Sequence, residues 1–217
     1  MIFDGIKKLN KGEKHLKITC DNAGGQNKNN VTIWFYLYLV IYGYYESIEL
    51  NFMVPGHTKF KCDGNFGMIK KLYRRTRVDC KDHVVEVIKK SSPAGLNKAQ
   101  CYEGEKGFQY LDIKAILGIY FKKLNGLQKY QHFFFEAASP GIVKTQTVAN
   151  GTFIKFNLLQ TKKSDIIKEI KAFSVLVLTP PPLEYKRQEY LYYNIRPFVR
   201  DEFKDITCPR PIYTGNE

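Results

Sequence analysis

Two stretches near the start of the chain decide the fold: residues 16–30, LKITCDNAGGQNKNN, and residues 48–63, IELNFMVPGHTKFKCD. Each begins with a short apolar run typical of a strand and continues into loop residues that include glycine. Each also carries one aspartate near the start of the following helix, Asp21 in the first and Asp63 in the second. The pattern predicts two neighbouring strands whose ends bring acidic side chains to the same edge of a sheet.

The segments that follow these strands favour helices. Residues 31–42 are apolar around most of a helical circumference, which indicates a helix buried against a sheet. A second helix is expected over residues 64–76, with Phe66, Ile69, Leu72 and Tyr73 on one face and basic residues on the other. The order strand, helix, strand, helix predicts an α/β layer architecture. For residues 82–90 the periodicity fits a short helix or a strand equally well.

The second half of the chain is less regular. Residues 110–123 favour a helix and residues 130–136 a strand, and alternating residues on both sides of Asn150-Gly151 predict a hairpin. A closing helix is expected over residues 183–203, which Pro197 should kink or end early. We predict a core over residues 1–90 and a C-terminal α+β elaboration over residues 91–217, packed on that core.

Composition narrows the classes of partner. The chain has 217 residues, of which 44% are hydrophobic, enough to bury a substantial core. Its 34 basic and 21 acidic residues give a net charge of +13, which favours nucleic acid or another polyanion as partner. The alternative is a lysine-rich protein that uses its lysines only for solubility.

Cysteine content and the start of the chain indicate the compartment. The five cysteines are an odd number without a C-x-x-C pair, which argues against a disulfide framework and against a zinc ribbon. The start of the chain lacks the apolar segment of a secretory signal, and the apolar run over residues 31–45 is too short to span a bilayer. We expect a nuclear or cytoplasmic protein that is neither secreted nor embedded in a membrane.

Asp21 and Asp63 are the candidate metal ligands. Paired carboxylates that bind Mg²⁺ or Mn²⁺ are suited to attack on a phosphodiester, so both residues are candidates for catalysis. Each has a structural alternative, turn chemistry for Asp21 and a helix N-cap for Asp63. His57 is a third catalytic candidate, as a group that orients phosphate or transfers a proton, with a role in fixing its loop as the alternative.

Basic and polar residues near these acids are candidates for nucleic-acid binding. The basic candidates around the second helix, whose alternative is an ordinary solvated face, are Lys59, Lys70, Lys71, Arg74 and Arg75. The polar cluster just after Asp21 either contacts substrate or caps the following helix, and comprises Gln26, Asn27, Lys28 and Asn29.

These motifs resemble a known family. The run D-N-x-G-G-Q-N-K-N-N from Asp21, the run G-H-T-K-F-x-x-D that ends at Asp63, and Y-R-R at residues 73–75 resemble a transposon-associated domain of unknown function. Its fold resembles the ribonuclease H-like superfamily, to which retroviral integrases belong. Later matches at residues 129–133, 187–196 and 207–209 extend the resemblance over nearly the whole chain.

The resemblance implies a ribonuclease H-like mixed sheet flanked by helices. In that fold Asp21 would be the second acid of a D-D-D/E metal site for Mg²⁺ or Mn²⁺, and Asp63 the third. The first acid would lie on an earlier three-stranded hairpin. No strand with an aspartate precedes residue 16, so the resemblance implies a core without its N-terminal strands.

Three functions follow from these observations. The leading hypothesis is a transposon-derived nuclease or transposase, with metal-dependent phosphodiester chemistry in the intact parent protein and DNA as the expected nucleic acid. The missing first ligand leaves catalysis by this chain alone open. The alternatives are a non-catalytic nucleic-acid-binding module that keeps the basic face, and a structural or protein-interaction remnant.

Overall fold

The computed structural model describes residues 5–6, 11–54, 61–102, 108–160, 165–172 and 176–213, and it is a mixed α/β protein. Its strands are β1 (His15–Cys20), β2 (Ser47–Phe52), β3 (Tyr110–Leu111), β4 (His132–Glu136), β5 (Ile142–Gln146), β6 (Ile154–Asn157) and β7 (Val177–Leu178). Its α-helices are α1 (Asn30–Tyr42), α2 (Lys61–Tyr73), α3 (Lys81–Lys90), α4 (Ile113–Tyr120), α5 (Ile166–Ala172), α6 (Tyr185–Tyr190) and α7 (Lys204–Thr207). The predicted α/β class is confirmed.

The chain forms two compact units. The first unit comprises Met1–Thr58 and Gln109–Leu178, and the second comprises Lys59–Phe108 and Thr179–Glu217. The first unit holds a five-stranded sheet of order β1-β2-β4-β5-β6, and β3 pairs with β7 separately. These units differ in extent from the predicted core and elaboration, because the strands of residues 132–157 join the sheet that begins with β1 and β2.

The sheet is mixed because only its first pair of strands is parallel. β1 and β2 run in the same direction with Cys20 opposite Phe52, and α1 connects them as the sequence predicts. β2, β4, β5 and β6 then pair antiparallel in succession. The carboxyl ends of β1 and β2 therefore lie side by side at one edge of the sheet.

Helix α1 is the centre of the first unit. Its residues 33–41 are all buried, and it packs on β2 and β4 as well as on α4 and α5. Asn29 caps its start by accepting a hydrogen bond from the Thr32 backbone N–H at 3.0 Å, and Gly43 ends it at φ +96°. The predicted buried helix is confirmed, and its apolar circumference has a partner on each side.

The sheet presents an apolar face to this core. Alternate residues such as Leu50, Phe133 and Phe135 are completely buried, whereas their neighbours along the strands, such as Glu49 and His132, are only partly buried. This alternation is the period-two pattern of a sheet with one face in the core. The polar positions of β1, β2 and β4 consequently gather on the opposite face.

The hairpin of β5 and β6 follows the predicted turn. Thr145 pairs with Ile154, and Asn150 in the connection has φ +60°, the left-handed conformation that Asn tolerates. A second left-handed residue, Gly141, precedes β5 at φ +79°. A Cβ atom on Gly141 would overlap the Leu159 side chain, with Cδ1 at 2.5 Å.

The second unit is largely helical. Residues 82–90, whose pattern fits a helix or a strand, belong to helix α3. The single closing helix expected over residues 183–203 is wrong in part: α6 continues as a π-helical turn over Leu191–Ile195 and a 3₁₀ turn over Arg196–Phe198. Pro197 lies in that last turn, which fits the expected early end because proline cannot donate the next helical hydrogen bond. None of the helices described in either unit is long and apolar enough to cross a membrane.

An ion pair between a buried aspartate and a partly exposed arginine joins the two segments of the second unit. The Asp79 side chain is 3% exposed, and Arg200 donates to it twice, from Nε at 2.7 Å and from its backbone N–H at 3.2 Å. The Asp79 carbonyl accepts from Thr207 Oγ1 at 2.7 Å, and its N–H donates to His83 Nδ1 at 3.1 Å. Burial alone would raise the pKa of Asp79, but the bonds from Arg200 outweigh it and hold that pKa below its usual range.

We predict that Gly141→Ala destabilises the first unit by about 1–3 kcal/mol, since the added methyl meets Leu159 and alanine resists a positive φ. Gly25→Ala is the matched control, because a Cβ there meets nothing within 4 Å. Urea denaturation of the three proteins measures the difference. Equal midpoints for wild type and Gly141→Ala would contradict the packing at Leu159.

We also predict an acid-sensitive second unit. Because the folded pKa of Asp79 is lowered, its contribution to stability is complete above the pKa of the unfolded carboxyl and is lost as the pH falls below about 4. Asp79→Asn should therefore lower the thermal midpoint at pH 7 and narrow the gap to wild type at pH 3. A gap that stays constant between these two pH values would show that the charge of Asp79 does not stabilise the fold.

Candidate nucleic-acid interface

The strand-end loop, residues 21–29, joins β1 to α1. Its backbone closes on Ala23, whose carbonyl accepts hydrogen bonds from the N–H groups of Gln26, Asn27 and Lys28 at 3.2, 2.8 and 3.0 Å. The partly buried Asp21 side chain caps this turn, because its Oδ1 accepts from Asn27 Nδ2 at 2.6 Å and from the Ala23 N–H at 3.3 Å. The turn chemistry expected as an alternative for Asp21 is therefore present.

Lys28 is completely buried at the base of this loop. Its Nζ donates to the Gln128 carbonyl at 3.0 Å and to Gln131 Oε1 at 3.4 Å, and it lies 5.3 Å from the centre of the Phe52 ring. Gln128 returns a hydrogen bond from Nε2 to the Lys28 carbonyl at 3.0 Å. No carboxylate of the described part of the chain lies within 4 Å of Nζ, so burial lowers the pKa of Lys28 without a counter-charge to offset it.

The residues of the polar cluster in the strand-end loop differ in their burial. Gln26 is exposed, Asn27 is partly buried and bonded to Asp21, and Lys28 is buried. Lys28 links the loop to residues 127–131 and does not lie on the surface, so we do not retain it as a nucleic-acid contact. Asn29, the residue that caps α1, completes the loop.

The polar face of the sheet carries a connected row of side chains beside this loop. Asn51 Nδ2 donates to Glu49 Oε1 at 2.9 Å, and Lys17 Nζ lies 2.9 Å from the same oxygen. His132 Nδ1 is hydrogen-bonded to Asn51 Oδ1 across the β2–β4 pair. The bond from Asn51, followed by that from Lys17, holds the pKa of Glu49 below its usual value. The sequence shows this row only as polar residues that alternate with apolar ones.

The α2 face, in the second unit, is defined by Phe66, Lys70, Tyr73 and Arg74. These residues are spaced i, i+4, i+7 and i+8, so they follow one another along a single side of the helix. The last turn extends to Arg74, whose N–H donates to the Lys70 carbonyl at 3.1 Å. All four are exposed, Phe66 by 58% and Tyr73 by 49%.

Exposure divides the four apolar side chains of α2 into two pairs. At about 100° per residue Phe66, Ile69, Leu72 and Tyr73 lie within about 120° of one another, which is the single face that the sequence predicts. Ile69 and Leu72 are partly buried, whereas Phe66 and Tyr73 are exposed and lie at the border of this face that adjoins Lys70.

Four basic side chains at the end of α2 and just after it have no ionic partner among the described residues. Lys70, Lys71, Arg74 and Arg75 are all exposed, and among the described residues none of them lies within 4 Å of a carboxylate. Lys71 and Arg75 flank the α2 face on one side. Asp63 is exposed and lies in the first turn of α2. It therefore belongs to the helix, which begins two residues before it, and not to the loop in front of the helix. His57 and Lys59 lie outside the described residues.

The two candidate metal ligands belong to different units, Asp21 to the first and Asp63 to the second, and their pairing stays a prediction. Within the described ranges no three His, Cys, Asp or Glu residues group closely enough to hold a metal ion. One oxygen beside Asp21 nevertheless lacks a partner there: Asn22 Oδ1 is buried and accepts no hydrogen bond from any described residue.

The fold and the strand-end loop define a mixed α/β protein whose first helix is buried and whose parallel strand ends carry polar and acidic side chains. The chain belongs to the family DUF7869, a domain of unknown function, which matches residues 1–151. That range includes β1 to β5, the strand-end loop and α2. Searches of curated proteins and of solved structures gave no match.

Proposed function

We propose that this protein binds nucleic acid through the α2 face and its two flanking basic residues. The observation that supports the proposal is that four exposed cations there have no carboxylate partner among the described residues. Cations that the fold does not neutralise are available to phosphate groups, and the counterions released from the nucleic acid drive such binding. The net charge of +13 adds a long-range attraction of the same sign.

The α2 face suits a backbone contact more than a base-specific one. Lysine ammonium groups and arginine guanidinium groups bind phosphate oxygens without reading sequence. Neither Lys70 nor Arg74 forms a side-chain hydrogen bond to another described residue that would fix its direction. We therefore expect binding that depends strongly on salt and weakly on sequence.

A quadruple variant tests this function. Replacing Lys70, Lys71, Arg74 and Arg75 by Gln should weaken DNA binding, and the slope of log K against log salt concentration should shrink by about 0.7–0.9 for each phosphate that the variant no longer neutralises. Fluorescence anisotropy with a labelled oligonucleotide at several salt concentrations gives both quantities. Since all four residues are exposed, the variant should remain folded.

A second quadruple variant is the control for net charge. It replaces four exposed lysines of the same unit by Gln and so removes the same charge from other positions: Lys81, Lys89, Lys90 and Lys98. Binding through the α2 face predicts that this control keeps most of the affinity. Equal losses in both variants would mean that total charge, and not this helix, attracts the DNA.

A metal-dependent reaction on the phosphodiester is a second proposal, and it comes from the resemblance to transposon-derived, ribonuclease H-like proteins. The buried Asn22 Oδ1 without a partner beside Asp21 supports it, because carboxylate and amide oxygens are ligands that Mg²⁺ accepts. Mg²⁺ commonly binds to one or two carboxylates and completes its shell with water and substrate phosphate. Asp21 and Asn22 would hold such an ion, which would polarise a phosphodiester when bound.

Asp21→Asn tests this second proposal cleanly. Asparagine keeps an oxygen for the bonds from Asn27 and Ala23, so the strand-end loop should survive while the charge that would bind the metal is lost. Cleavage of plasmid DNA that requires Mg²⁺ or Mn²⁺ and disappears in this variant, with an unchanged thermal midpoint, is the expected result. Undiminished cleavage by Asp21→Asn would remove Asp21 from any catalytic role.

A further inference from the structure

Phe66 and Tyr73 are aromatic side chains of α2 that are exposed to solvent and are not buried in a hydrophobic core. They are 58% and 49% exposed, and they are seven residues apart on the same side of α2, which distinguishes them from the exposed aromatic residues elsewhere in the unit. The helical rise places them about 10 Å apart along the axis. Lys70 lies between them and Arg74 follows directly after Tyr73.

This alternation matches the requirements of a single strand more closely than those of a duplex. Bases of a single strand are free to stack on aromatic rings, whereas the bases of a duplex are already stacked on each other. Interleaved cations bind the phosphates that follow each base. A duplex surface offers phosphates to Lys70 and Arg74 but no base face to Phe66 and Tyr73.

We propose that the α2 face selects single-stranded nucleic acid, with Phe66 and Tyr73 as stacking platforms and Lys70 and Arg74 as phosphate contacts. This inference rests on the proposed nucleic-acid binding and adds the class of nucleic acid. It assigns separate tasks to the two kinds of side chain, because the cations supply the salt-dependent part of the affinity and the rings supply a part that salt does not screen.

The experiment compares oligo(dT) of about 15 nucleotides with a duplex of about 15 base pairs, a length within the range of single-strand sites. Wild type should bind the single strand at least about ten-fold more tightly. Phe66→Ala and Tyr73→Ala should each reduce the affinity for the single strand by about ten-fold, leave the affinity for the duplex nearly unchanged and preserve the salt slope. Phe66→Tyr and Tyr73→Phe, which keep a ring, should retain the preference.

A matched control and a direct reporter separate stacking from loss of structure. Tyr193, an aromatic residue of the same unit that is 67% exposed, lies outside α2, so Tyr193→Ala should not change the preference. A 2-aminopurine base placed in the single strand should lose fluorescence on binding wild type, and should lose less on binding the Phe66→Ala/Tyr73→Ala double variant. Thermal midpoints verify that each variant is folded.

The outcomes distinguish the two levels of the proposal. Salt-dependent binding of single strand and duplex with equal affinity, or equal losses for both ligands in Phe66→Ala and Tyr73→Ala, would overturn the single-strand assignment and leave the proposed function intact. Absence of salt-dependent binding to either ligand would overturn both. A fall in the salt slope in the aromatic variants would also overturn the single-strand assignment, because it would show that the rings act through the cations.

Discussion

The burial of helix α1 is the constraint on which the first unit depends. Residues 33–41 have no exposed side, so the helix requires a sheet on one side and other helices on the other. In the structure β2 and β4 supply the sheet side of α1, and α4 and α5 supply the helical side. Because α1 is the connection between two parallel strands, holding it also holds the ends of β1 and β2 side by side, and the strand-end loop acquires its position from this packing.

The parts of the fold that depend on local sequence were predictable, and those that depend on distant partners were not. β1, α1 and the hairpin around Asn150 follow from apolar periodicity and turn chemistry. The burial of Lys28 depends on the Gln128 carbonyl, 100 positions away, and the pair of Asp79 with Arg200 spans 121 positions. The residues next to a lysine or an aspartate in the sequence do not indicate such a distant partner. From its charge alone, each of these residues would be predicted to lie on the surface.

The candidate site was predictable to a similar degree. The basic character of α2 follows directly from the sequence, and Lys70, Lys71, Arg74 and Arg75 are exposed as expected. Helical geometry places Phe66 and Tyr73 at the border between the apolar and the basic face, and the sequence does not show that both are exposed there. The sequence shows Asp21 after one strand and Asp63 near the start of a helix, while the structure assigns each to its own compact unit.

The strand order has a consequence for how this protein behaves in concentrated solution. Among the described strands β1 and β6 lie at the two ends of the five-stranded sheet, where unpaired N–H and C=O groups offer a template for pairing with another chain. Each of these strands carries an exposed lysine in its middle, Lys17 in β1 and Lys155 in β6. Charge at such positions opposes edge-to-edge association, so part of the basic surplus has this use independently of any polyanion.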